Sequence, residues 1–282
     1  MKKIILTLIS VTLILPAVLR AQSVSTKTSF EGERITGVSA SSAFNVVLVK
    51  SIQTRAVLEV NSELESHVRI SRSADGVVSV DLNDMGHREW RLFSRMSDKD
   101  RLMRLTLYLP SVNTIRLSGA TSLISSDAFT GDEVDIQLSG ASNIRNPLSI
   151  ASQRLKIQCS GASNASLLLP TTRDLVVVAS GASHVKISAK GVANSKLGAS
   201  GASHVEIVGD GTTGNWSASG ASKITGDEFA AKDVSIIVSG ASSARVNASG
   251  TLTTRTSGAS SVRYAGSPAH IHNESSTVRP LK

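Results

Sequence analysis

From about residue 111 onward, apolar and polar positions alternate in short runs that restart at a near-constant interval, and each run ends in the same tetrapeptide. Ser-Gly-Ala-Ser, or Ser-Gly-Ala-Thr in the first copy, begins at Ser118, Ser139, Ser160, Ser180, Ser200, Ser219, Ser239 and Ser257, in steps of 21, 21, 20, 20, 19, 20 and 18 residues. Repetition at such a period marks a stack of equivalent structural units. Three residues before each Ser stand Ile115, Ile136, Ile157, Val177, Leu197, Trp216, Ile236 and Thr254, and one residue before stand Leu117, Leu138, Cys159, Ala179, Ala199, Ala218, Val238 and Thr256. Polar residues such as Arg116, Gln137 and Gln158 lie between these columns, so every approach to the tetrapeptide reads as a half-buried strand. Five residues after the Ser a further apolar column runs from Leu123 to Val262.

The tetrapeptide reads as the bend between two strands. Glycine permits backbone angles that side chains forbid, the following Ala is small enough to point inward at a tight corner, and the flanking serines can hydrogen-bond locally. Two or three short strands and one recurring corner in about 20 residues describe a coil of a right-handed parallel β-helix, an all-β solenoid. Eight coils stacked at roughly 4.8 Å give a prism about 40 Å long. A leucine-rich repeat has a similar period, but its leucine spacing and asparagine are missing. An antiparallel barrel or sandwich would place hairpins every 8 to 12 residues or so, and alternation alone could mimic one.

Residues 30–110 lack the tetrapeptide yet keep strand patterns at Phe44–Val49, Ala56–Val60, Val77–Val80 and Leu105–Leu109. They are expected to form irregular coils or a sheet capping the open end of the stack, with residues 266–282 covering the other end. Residues 22–282 are thus read as a single β-helical domain, with regular coils over 111–265.

The first 21 residues have a different character. Lys2 and Lys3 precede an apolar run from Ile4 to Leu19 that Pro16 interrupts, and Ala21 ends the segment. This is the order of a Sec signal peptide, with cleavage expected after Ala21 and the mature chain in the periplasm, at the cell surface or outside the cell. The run is too short for a spanning helix, and no later segment approaches that length. Export changes the charge: the full chain carries +8, whereas the mature chain, with 27 basic and 22 acidic residues, carries +5. A balance so mild attracts anionic surfaces or glycans only weakly, and an exported protein is not expected to meet nucleic acid. Hydrophobic residues make up 40% of the chain and aromatics only 3%, which suits narrow columns of branched side chains. Trp216 is the expected exception in its column. Cys159, the only cysteine, falls in an inward column and is expected to be a small buried hydrophobe.

Leu105-Thr106-Leu107-Tyr108-Leu109-Pro110 leading into Ile115-Arg116-Leu117-Ser118-Gly119-Ala120, the earlier Ala43-Phe44-Asn45-Val46, and the closing Thr256 to Tyr264 resemble the auto-transporter adhesin head GIN domain family, common in exported proteins of Bacteroidetes. The resemblance spans about residues 30–265, although the tripeptide Gly-Ile-Asn is absent. It implies a right-handed β-helix similar in shape to pectin lyases, no recognised catalytic set, and a role in adhesion or surface interaction. It supplies no functional residues to carry over.

Candidate chemistry is sparse. A glycosidase needs two carboxylates about 5 to 9.5 Å apart. Glu133, Asp174 and Asp233 share the column six before the Ser, but Arg154, Asn194 and Thr213 occupy it in the intervening coils. His184 and His204 stand at the same offset in consecutive coils and should lie about 5 Å apart on the outside, where two imidazoles could also bind a metal. An ordinary polar ladder is the simpler reading. His270 and His272 form a weaker alternating pair. Residues 87–104 carry Arg88, Arg91, Arg95, Lys99, Arg101 and Arg104 around Trp90 and Phe93, a composition that suits sugar stacking, carboxylate pairing or a protein contact. The candidate ligand or partner surface is therefore Trp90, Arg91, Phe93, Arg95, His184 and His204. No cofactor fingerprint occurs. The expected function is non-enzymatic adhesion or envelope interaction with polysaccharide or surface proteins, against a polysaccharide-active enzyme. A Ser/Thr ladder facing ice fits poorly, because the outward columns are chemically mixed.

Overall fold

The computed structural model of the chain describes residues 23–83, 86, 101–273 and 277–281; the segment read as a signal peptide lies outside them. The chain forms a parallel β-solenoid of about eight turns with roughly 20 residues per turn. One sheet enters the corner, a second leaves it, and a shorter third closes the coil. In the first sheet, Gly37–Ala40 pairs in parallel with Thr114–Leu117, and each later coil adds a strand up to Thr251–Thr256 and His270–Asn273. In the second, Asn45–Lys50 is followed by Ser122–Ile124, Asn143–Ile144, Asn164–Leu169 and their successors to Val278–Pro280. The register joins Ile136, Ile157, Val177, Leu197, Trp216, Ile236 and Thr254 into one buried column, as their spacing from the tetrapeptide requires.

The corners stack backbone on backbone. Their glycines have φ between 69° and 76°, the left-handed region, and from Ala141 to Ala241 the Ala after each Gly donates its N–H to the Gly carbonyl of the coil before, at 2.7 Å for Ala141 to Gly119 and 2.8 Å for Ala182 to Gly161. A Cβ on Gly161 or Gly181 would stand 2.5 or 2.6 Å from the preceding Gly oxygen. Glycine is therefore required twice, for its angle and for the absence of a side chain between coils.

One expectation is corrected at this corner. The Ala points outward and is exposed, and the residue that turns in is the fourth, from Thr121 and Ser142 to Ser260, all buried. Strand alternation resumes directly after the bend and puts that position inside. Its hydroxyl is satisfied locally: Ser142 donates to the Ser139 carbonyl at 2.6 Å and Ser163 to that of Ser160 at 2.9 Å, while Ser222 donates to Ala199 in the neighbouring coil at 3.0 Å. A ninth corner, Ser41-Ser42-Ala43-Phe44, precedes the first tetrapeptide. Ser118 donates its N–H to Ala40, and Ser42 and Ala43 take φ of 61° and 71° without glycine. The strand beneath, Val77–Leu82, presents no glycine corner, and Phe44 fills the inward site that serine holds elsewhere.

Rings are scarcer than branched residues but not confined to Trp216: Phe44, Phe129 and Phe229 are also fully buried. Trp216 and Phe229 lie 6.1 Å apart, and glycines make room for them. A Cβ on Gly226 would meet the indole at 2.5 Å, and one on Gly211 would meet the Phe229 ring at 2.6 Å. The indole N–H donates to Ser195 Oγ at 3.1 Å, so the ring leaves no polar atom unpaired.

At the N-terminal end the winding gives way to antiparallel pairing. Val24–Ser29 pairs with Arg55–Asn61, which pairs with Met103–Leu109, and the hairpin of Val68–Arg72 with Val77–Leu82 covers the first sheet. At the other end, His270–Asn273 and Val278–Pro280 add a further partial coil in parallel rather than folding across the stack.

The double constraint on the corner glycine can be separated experimentally. Gly191 has φ 65°, but a Cβ at that position would meet nothing within 4 Å, so Gly191→Ala should cost only the strain of the left-handed angle, about 1 to 2 kcal/mol. Gly161→Ala must also push two coils apart, and its urea midpoint should fall clearly further. Equal losses would remove the stacking term.

Candidate interaction surface

Each sheet presents outward columns whose members lie one coil apart, so a side chain recurs as a ladder. On the second sheet, His184 and His204 are paired in register, with ring centroids 4.8 Å apart in an edge-on arrangement. His204 Nε2 lies 3.0 Å from Thr225 Oγ1 on the next coil, and Lys186 meets Glu206 at 2.9 Å in the adjacent column. That contact lowers the Glu206 carboxyl and raises the Lys186 ammonium. Burial pushes the His204 imidazole down, His184 and Lys223 push it further the same way, and Glu206 opposes them. Around the imidazole pair stand the Thr225 hydroxyl, the engaged Lys186 and Glu206, and Lys223. Among the described residues no group of three His, Cys, Asp or Glu side chains is placed to hold a metal.

The carboxylate column is engaged coil by coil. Glu133 pairs with Arg154, Asp174 accepts from Asn194 Nδ2 at 2.7 Å, and Asp233 accepts the Thr251 N–H at 2.8 Å. Register places Arg154 between Glu133 and Asp174, so these two acids do not face a common substrate. Cys159 is buried, and burial raises its thiol to about 12, far from a reactive thiolate. Trp90, Arg91, Phe93 and Arg95 lie outside the described residues.

Shallow depressions missed by sequence reasoning run along the first sheet. One of about 450 Å³ follows Arg116, Gln137 and Gln158 beside the serine column. Another, of about 440 Å³, is a notch at Gly198 and Ser217 between the exposed side chains of Val178 and Ile237. A third, of about 550 Å³, lies at the bend between third and first sheets beside Arg34, Asp132 and Gln153. Their signal was present in the outward columns, where small residues interrupt larger ones, but depth depends on neighbours in other coils.

The sequence matches the family described as putative auto-transporter adhesin, head GIN domain, over residues 34–208 and again over 171–268. This chain belongs to the head GIN domain family. The two overlapping matches reflect the internal repeat, which lets the family pattern align at more than one coil. A putative adhesin from Parabacteroides distasonis shares the fold at a TM-score of 0.63 and 17% identity, covering 93% of this chain and 98% of that one. A putative adhesin from Parabacteroides merdae aligns at 0.62 and 15%, with coverage of 93% and 98%. A putative lipid binding protein from Parabacteroides distasonis aligns at 0.55 and 13%, again over 93% and 98%. No protein of curated function matches the sequence. Identities this low establish a shared fold, and a shared fold by itself does not select a ligand.

The imidazole pair makes a pH prediction. The folded state binds a proton at His204 less readily than the unfolded chain does, so the unfolded state gains protons first as pH falls below about 6.5. Stability should therefore decline through that window, and His204→Asn should flatten the decline. Imidazole NMR should show His204 titrating below the ordinary histidine value; titration at or above it would refute the assignment.

Proposed function

We propose that this protein is an exported, non-enzymatic β-solenoid of the cell envelope that acts by adhesion, presenting its long faces to extracellular or envelope polysaccharide. The observation that carries this reading is the register itself: outward side chains recur at the coil spacing and form axis-parallel rows, suited to a ligand with its own linear repeat. Membership of a family described as adhesins supports the surface role, and the family's character supports export. The shallow, open depressions support binding by contact along a face rather than enclosure of a small substrate. The carboxylates that a polysaccharide-active enzyme would use are committed to Arg154, Asn194 and Thr251 in neighbouring coils.

A glycan array run beside product analysis tests the proposal: binding with no change in chain length is expected, and turnover of any polysaccharide would replace adhesion by catalysis. Export has its own measurement. Protein recovered from the envelope or medium should begin at Gln22 on N-terminal sequencing, and retention of Met1 would contradict signal cleavage.

A further inference from the structure

The modest net charge conceals an uneven distribution. Two of the outward columns on the second sheet carry its charged side chains. One runs through Asn143, Asn164, His184, His204, Lys223 and Ser243, and the other from Arg145 through Lys186 and Glu206 to Arg245, Arg263 and Arg279. The described residues from 111 to 281 include ten carboxylates, yet only Glu206 stands in these columns, against six lysines and arginines. Glu206 is already engaged by Lys186, and Asp227, on the bulge beside the sheet, reaches Arg245 at 3.7 Å. Arg263 and Arg279 are exposed and have no carboxylate at ion-pairing distance among the described residues.

Register sets Arg245 beside Arg263 and Arg263 beside Arg279, three guanidinium side chains on consecutive coils about 4.8 Å apart. Like charges in such a row disfavour one another, and an anionic partner with a matching linear repeat relieves them. We infer that the second-sheet face from Lys223 to Arg279 docks a linear acidic polysaccharide along the solenoid axis, its carboxylate or sulfate groups paired with Arg245, Arg263 and Arg279. Guanidinium suits these groups because its fork of donors matches their paired oxygens. The coil spacing is close to the length of one sugar in an extended chain. The row is one-dimensional, and the exposed large apolar side chains of the described coils, Ile124, Leu168, Val178, Ile237 and Ile271, lie outside this stretch of the face; both features favour a strand-like polymer over a membrane.

This inference rests on the adhesive reading and names its ligand class. Binding of polygalacturonate and dextran sulfate should be measured against methyl-esterified polygalacturonate and dextran as uncharged controls. The wild type should bind at least one charged polymer, neither control, and more weakly as salt rises. The double variant Arg263→Gln with Arg279→Gln should bind at least about tenfold more weakly, having lost two charge-assisted contacts. Lys156→Gln with Lys196→Gln removes the same charge from exposed positions on the first sheet and should leave binding unchanged. Equal weakening by both pairs, equal binding of the uncharged polymers, or preference for phosphatidylglycerol vesicles or duplex DNA would overturn the inference. Binding only to neutral glycans on the array would overturn it while sparing the adhesive reading, and binding to no glycan at all would remove both.

Discussion

The architecture depends on a backbone contact that tolerates no side chain. Along the tetrapeptide corners left-handed glycines stack one on the next, and from Ala141 to Ala241 the following Ala N–H bonds the preceding Gly carbonyl at 2.7 to 2.8 Å. A Cβ anywhere in this stack from Gly140 to Gly258 would approach the previous glycine oxygen to 2.5–2.9 Å. Because the corners cannot slide past one another, the strands on either side are held in register over the whole prism. A one-residue slip would turn every inward column outward, so the corner and the core enforce the same alignment.

That alignment governs what the core accepts. Branched and small residues fill the columns, buried serines such as Ser142 at the corner and Ser195 within a strand donate to carbonyls, and Trp216 and Phe229 enter where glycines in the same or adjoining coils leave space. Trp216 shows the cost of an exception: Gly214 and Gly226 give up their side chains beside it, and Ser195 supplies its hydrogen-bond acceptor. The ends of the stack must then deal with open sheet edges. Antiparallel strands cover the N-terminal end, and at that boundary the corner is built from Ser42 and Ala43, where no glycine below demands close approach.

The same register turns isolated surface residues into rows. A histidine pair, a lysine–glutamate pair and a run of arginines arise because offsets from the tetrapeptide repeat, and their spacing is that of the strands. The acids Glu133, Asp174 and Asp233 beside the bends take an ion pair or a hydrogen bond from the coil next to them, whereas the second sheet keeps a surplus of cations toward solvent. Electrostatic individuality thus resides in columns laid over a scaffold whose winding is shared by proteins with 13 to 17% identical sequence.

Much of the fold was legible in the residues alone, because a solenoid writes its period directly into the chain. Spacing from the tetrapeptide identified the columns of Ile136 and Ile144, the burial of Cys159 and the proximity of His184 to His204. It did not determine which residue of the corner turns inward, since Ala and Ser are both small and only the path of the bend decides. Nor could it reveal the corner at Ser41–Phe44, which lacks glycine because the strand beneath it leaves room. The rows of charge were present as single letters 16 to 20 residues apart, but their surplus on one face emerged only when coils stacked and acids on the bends found partners. Local sequence determined the repeat; contacts between coils determined which side chains remain available to a ligand.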